Sequence, residues 1–268
     1  MLIRLGYDIQ FTIAQPVPVV ALLSVHPSRR HDLQGPDRVT VEGASQSAEY
    51  TDAFGNICTR MLAQPGTLRL TNSVVIQDDG LLDPIPFDER EVPIEELPPE
   101  TLRFLMASRF CEVDLLSPIA VELFGNAPRG WGRVAAICNW VNTKVTFSYP
   151  HARPTRTALD VFTERIGVCR DFQHLAVTFC RCMNIPARYA TGYLGDIGVT
   201  VPPAPMDFSA WFEVYLGDRW WTVDARHNVP RIGRVLIATG MDATDVAITT
   251  SFGGASLSHF EVVSDEIG

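Results

Sequence analysis

Two changes of hydrophobic period divide this chain and limit what it can fold into. Residues 1 to about 82 alternate loosely between apolar and polar, most clearly over Leu2–Ile13, Val39–Glu42 and Thr67–Ile76. Turn-forming clusters fall between them, at Gly35-Pro36-Asp37, Phe54-Gly55-Asn56, Pro65-Gly66 and Asp78-Asp79-Gly80. Successive strand side chains point to opposite faces, so this stretch predicts short antiparallel strands stacked as a small β-sandwich. A connector rich in proline and acid, 83–98, comes next. Beyond it the period turns helical. Pro99 opens a segment carrying Leu102, Leu105, Met106 and Phe110, and Ser117-Pro118 opens another with Ile119, Val121, Leu123 and Phe124. A third helix is expected over about 130–145, a short one over Thr157–Phe162, and the longest from Cys169 to about Met183.

Strands then return: Ala187–Leu194, Phe208–Leu216 and Trp220–Asp224, with Gly217-Asp218 reading as the turn of a hairpin. Val235–Thr239, Val246–Thr250 and His259–Val263 are further candidates. Helices first and sheet afterwards make the second part α+β. The expected organisation is an N-terminal β-sandwich module (1–82), a linker (83–98) and one α+β domain (99–268).

Composition narrows the function classes. A net charge of -9 offers no footprint for nucleic acid or an anionic membrane surface. The start of the chain lacks the basic end and apolar core of a signal peptide, and Pro16 and Pro18 interrupt the one fairly apolar run, Thr12–Val25. Six cysteines dispersed over 268 residues read as free thiols in a reducing compartment, with cytoplasm the expected location. Cys180-Arg181-Cys182 has no second pair at ligand spacing, so it reads as core, and no metal or organic cofactor is called for.

One cysteine stands apart. In Gly167-Val168-Cys169-Arg170-Asp171-Phe172-Gln173-His174-Leu175 the thiol falls at the start of the apolar helix. The positive end of the helix dipole and the free N–H groups there favour thiolate, the nucleophilic form. Such a thiol needs a base or ion-pair partner, a group orienting that partner, and donors for an oxyanion. Asp224, closing the apolar run Trp220-Trp221-Thr222-Val223, is the best orienting group.

Four ordered blocks carry a resemblance: Gly167–Phe172, Ile185–Tyr193, Ala210–Tyr215 and Trp221–Asp224. Together they resemble the core of the transglutaminase-like superfamily over about 157–228, and the β-rich start with Asp52-Ala53-Phe54-Gly55-Asn56 resembles the N-terminal module of bacterial members. The resemblance implies a papain-like domain of helices followed by an antiparallel sheet. It also implies a triad of Cys, His and Asp in chain order, acting on peptide or protein amides through a thioester. Cys169 matches the cysteine and Asp224 the aspartate.

The histidine position, just before Ala210-Trp211, holds Ser209. A serine hydroxyl is neither a base near neutral pH nor a cation, so another imidazole must be sought. Pairing across the hairpin puts Ser209, Trp211, Asp224 and Arg226 on one face, and His227 on the other unless the strand breaks after Asp224. Val229-Pro230 makes such a break reasonable. His174 lies about 140° around the helix from Cys169 and points away. His151 sits in a preceding loop and is unconstrained.

Three readings follow. In the first, Cys169, Asp224 and His227 form an acyl-transfer or amide-hydrolysis site, with Trp211 lining the substrate cleft. In the second, the fold and thiol persist without turnover, as a binding or scaffolding pseudoenzyme. In the third, Ser209 is itself the nucleophile of a hydrolase, though no base is evidently placed for it.

Overall fold

Alternating burial of Ile3, Leu5, Tyr7 and Ile9 fixes which face of the first strand meets the core, and with it the register of the sheets around it. The computed structural model describes residues 1–200 and 206–268. The strands of the first part are β1 (Leu2–Ile13), β2 (Val17–Ala21), β3 (Thr40–Glu42), β4 (Ala44–Thr51), β5 (Ile57–Ala63) and β6 (Gly66–Gln77). Short strands β7 (Thr146–Phe147) and β8 (Ile166–Gly167) lie among the helices. The last part holds β9 (Ala187–Leu194), β10 (Ser209–Leu216), β11 (Arg219–Val223), β12 (Arg234–Gly240), β13 (Thr249–Ser251) and β14 (Ala255–Glu266). The α-helices are α1 (Pro99–Leu102), α2 (Val113–Phe124), α3 (Trp131–Lys144), α4 (Ala158–Glu164) and α5 (Cys169–Cys182).

Two four-stranded antiparallel sheets, ordered β14-β1-β6-β3 and β13-β2-β5-β4, form the expected sandwich. A third antiparallel sheet, β11-β10-β9-β12, lies between this sandwich and the helices. Its Tyr189, Tyr193, Val235 and Ile237 join the sandwich core. Phe212, Val214, Leu216 and Val223 join the helical core instead. At the centre of the helical layer is α5, buried without interruption from Asp171 to Arg181. The molecule is therefore a mixed α/β fold of antiparallel sheets and a helical region.

Several expectations need correction. The last strands do not extend the α+β part: β13 pairs with β2, and β14 pairs with β1 along almost its full length. The unit expected over 99–268 thus gives its final strands to the N-terminal sheets. Their apolar alternation satisfied a strand assignment, but nothing local names a partner so distant in sequence.

The connector 83–98 is also more than a linker, since Asp83 ion-pairs with Arg234 and Glu91 with Arg133. The helix expected from Pro99 to Phe110 ends early, as α1 and one 3-10 turn through Leu105. α2 starts ahead of Ser117-Pro118 and runs through Pro118. Pro118 is exposed there, as is Asp114, whose carbonyl loses a partner but keeps access to water.

Candidate active site

The entry to α5 explains its own sequence. Asp171 is fully buried and its carboxylate accepts from the Val168 N–H at 3.0 Å, satisfying one of the helix's free donors. The guanidinium groups of Arg156 (3.2 Å) and Arg170 (3.3 Å) neutralise it. A Cβ on Gly167 would come within 2.6 Å of the Asp171 Cβ, so the glycine before this turn is a packing requirement. Cys169 is the first residue of α5, half-buried, and the Arg170 N–H is aimed at its sulfur. Burial pushes this thiol up, the Arg226 guanidinium pulls it back, and Asp207 and Asp224 add to the rise.

β11 stops at Val223, and the chain turns at once. This is the break that brings His227 back towards Asp224. His227 Nδ1 lies 2.8 Å from Asp224 Oδ2, and the His227 and Arg226 N–H groups donate to Oδ1 at 3.1 and 2.9 Å. From α5, one turn beyond Cys169, Gln173 Nε2 donates to the same Oδ1 at 2.9 Å and to the Ala210 carbonyl. Gln173 Oε1 accepts from the Ala225 N–H. From β12, Arg234 Nη2 reaches Asp224 Oδ2 at 2.9 Å, while its Nε reaches Asp83 Oδ2 at 2.7 Å. Burial alone would raise the Asp224 carboxyl, but the His227 hydrogen bond and the Arg234 cation outweigh it and hold it well below the usual carboxylate range. An ionised Asp224 can only accept, so Nδ1 of His227 carries the proton. In the neutral ring, Nε2 is then the basic nitrogen.

The other expected residues fall as follows. Trp211 is only 2% exposed. Its ring packs on Gly192 and lies 5.2 Å under the Arg234 guanidinium, which places it in the site's foundation rather than on an open cleft wall. Ser209 starts β10 opposite Gly192, and its carbonyl accepts from Thr191. His174 is fully buried, stacked on Phe110 and accepting from the Ala243 N–H. Burial pulls its pKa down to about 3, so it stays neutral. His151 bonds Ser148 on the surface. Cys180 is core, Cys182 donates to the Val113 carbonyl, and no cluster suited to a metal ion occurs among the described residues.

Gln173, Arg234 and Asp83 escaped the sequence reading. Gln173 had a weak signal, an amide four positions after Cys169 and so on the same side of the helix, but Asp171, His174, Thr178 and Arg181 are polar and buried there too. Arg234 and Asp83 had none, because their partner lies on another element.

The sequence profile described as the transglutaminase-like superfamily matches residues 118–225. A crystal structure from Cytophaga hutchinsonii, of a protein provisionally described as a cysteine protease, is 30% identical. It aligns with a TM-score of 0.86 over 99% of this chain and 90% of that one. An uncharacterized protein of Mycobacterium leprae is 27% identical over 248 residues, covering 85% of this chain and 84% of its own length.

Proposed function

The chain belongs to the transglutaminase-like superfamily, and we propose that it is a cysteine-dependent enzyme acting on amide bonds of peptide or protein substrates. The observation that supports this reading is the Asp224–His227 pair: Ser209 offers no imidazole, and His227 holds one 2.8 Å from the same aspartate. In the proposed reaction, His227 Nε2 takes the Cys169 proton as the sulfur attacks the amide carbonyl. The Arg170 N–H and the Cys169 N–H hold the developing oxyanion. The C–N bond breaks as the amine leaves with the proton from His227, and a thioester remains. Water or a second amine then attacks the thioester, releasing acid or new amide and returning the thiol. Asp224 fixes the tautomer and stabilises the imidazolium.

All six cysteines are free, which suits a reducing compartment such as the cytoplasm. No helix among the described residues is long and apolar enough to cross a membrane.

A peptide library incubated with the protein and read by mass spectrometry tests the reaction. A transient acyl adduct on Cys169 is expected, with turnover lowered about 10²- to 10⁴-fold in His227→Gln. A thiol that forms no adduct and alkylates no faster than an ordinary cysteine would establish the pseudoenzyme instead, the outcome that burial of the thiol favours.

A further inference from the structure

The loss of the histidine at Ser209 removes a cation as well as a base. In a cysteine site the imidazolium also holds the thiolate by charge, and His227 is tied back to Asp224 in a turn after β11. Another positive group stands at the entry to the helix that bears the thiol. β7 and β8 pair in parallel, with Phe147 beside Gly167, two residues before Cys169. The Ser148 N–H donates to the Gly167 carbonyl at 2.9 Å, so the 147–149 segment is fastened along the entry to α5. Onto Phe147 stacks Arg226, its guanidinium carbon 4.2 Å from the ring centroid, an arrangement that holds a cation in place without neutralising it. The turn bearing Arg226 is anchored from α3, where Asn142 Nδ2 donates to the Ala225 and Arg226 carbonyls at 3.3 and 2.7 Å.

Its pairing distinguishes this arginine. Arg234, on the neighbouring strand, is divided between Asp83 and Asp224. Arg156 and Arg170 are taken by Asp171. Among the described residues the Arg226 guanidinium has neither a carboxylate partner nor a hydrogen-bond acceptor. A half-buried cation stacked on an aromatic ring at the entry to the thiol's helix, close-paired with no carboxylate and felt only through space by Asp207, has charge to share with another group.

We infer that Arg226 is the charge partner of the Cys169 sulfur, supplying the positive charge that the residue at position 209 no longer provides. The inference deepens the proposed amide chemistry and rests on the same thiol. It divides the missing histidine's two duties, proton transfer to His227 and thiolate stabilisation to Arg226. Besides His227, the proposed base, the titratable groups whose charge is felt at Cys169 are Tyr149 from the segment after β7, Tyr189 from β9, Asp207 ahead of β10, and Asp224 after β11. Arg170, on α5 itself, turns its guanidinium to Asp171 and the Arg153 carbonyl. Of the fixed charges felt at the sulfur before any proton transfer, Asp207 and Asp224 oppose a thiolate and Arg226 favours it.

Alkylation tests this without needing turnover. In the reaction, sulfur displaces iodide from iodoacetamide, which is neutral, or from iodoacetate, which is anionic. Rates at Cys169 are followed by mass spectrometry from pH 5 to 10, in the intact protein and in Arg226→Gln and Arg226→Lys. Replacement by glutamine should raise the pH midpoint by about one unit and lower the iodoacetate-to-iodoacetamide rate ratio about five- to tenfold. Lysine should keep both within about twofold of the parent, because charge rather than shape is what matters. An unchanged midpoint and an unchanged ratio in a folded Arg226→Gln protein would overturn the inference. Peptide turnover reports separately. If turnover persists with an unmoved midpoint, the amide chemistry stands without this pairing. If the midpoint moves and no peptide is cleaved, the pairing stands and the proposed reaction fails.

Discussion

The two ends of the site are built to opposite specifications. Asp224 is 7% exposed and accepts from five donors on three separate parts of the chain: α5, its own turn and β12. Cys169 is half-buried, aligned with one N–H, and set between one favourable cation and two unfavourable carboxylates. The carboxylate is over-determined and the sulfur is left adjustable. A group whose task is to stay charged and still can be locked by hydrogen bonds. A nucleophile must leave its resting surroundings to attack, and tight bonds to it would be lost in doing so.

The contrast can be broken from either end. The largest effect should come from Cys169→Ala, which removes the proposed nucleophile and should lower peptide turnover by about 10³-fold or more, to background. Its melting temperature should stay within a few degrees of the parent, because little structure is built on the sulfur.

Asp224→Ala should cost stability as well as turnover. Removing it leaves Arg234 with Asp83 alone and orphans the Gln173, Arg226 and His227 donors, costing about 3–5 kcal/mol by chemical denaturation. A loss below about 1 kcal/mol would show that the network is not structural.

Acid should expose the same asymmetry more gently. The folded-state pKa of Asp224 is depressed, so its contribution is fully present above the ordinary carboxylate range and is lost as pH falls below it. Denaturation followed between about pH 6 and 3 should therefore show a steeper loss of stability in the parent than in Asp224→Asn.

Gln173→Ala should have the smallest effect, about 1–3 kcal/mol, from the orphaned Ala225 N–H and a lost bond to Asp224. Turnover should fall with it, since Gln173 ties the helix bearing Cys169 to the turn bearing His227.

What could be seen in the sequence follows the same division. β1, β9 and α5 matched their expected ranges closely, because alternation or a long apolar run marks an element buried by its own pattern. β4 was invisible: all but its first residue are exposed, so no apolar face exists to read. β2 was hidden by Pro18, tolerated in a strand paired on both sides because the ring is exposed and its carbonyl still accepts, from Phe252. In the site, Cys169 and Asp224 were legible from motif blocks, and His227 only on condition that the strand broke. Arg234 and Asp83 were not legible, since their meaning arises where β12 and the connector cross behind the turn.

The pairing of β14 with β1 carries a consequence for how the protein is made. Ile3 sits opposite Glu266, so β1 is made long before β14 and waits while almost the whole described chain between them is synthesised. Closing so long a loop is slow to nucleate, and until it closes one edge of β1 stays open to other chains. A polypeptide halted before Ala255 would keep that edge permanently, and its expected fate is association with other chains rather than a smaller folded product.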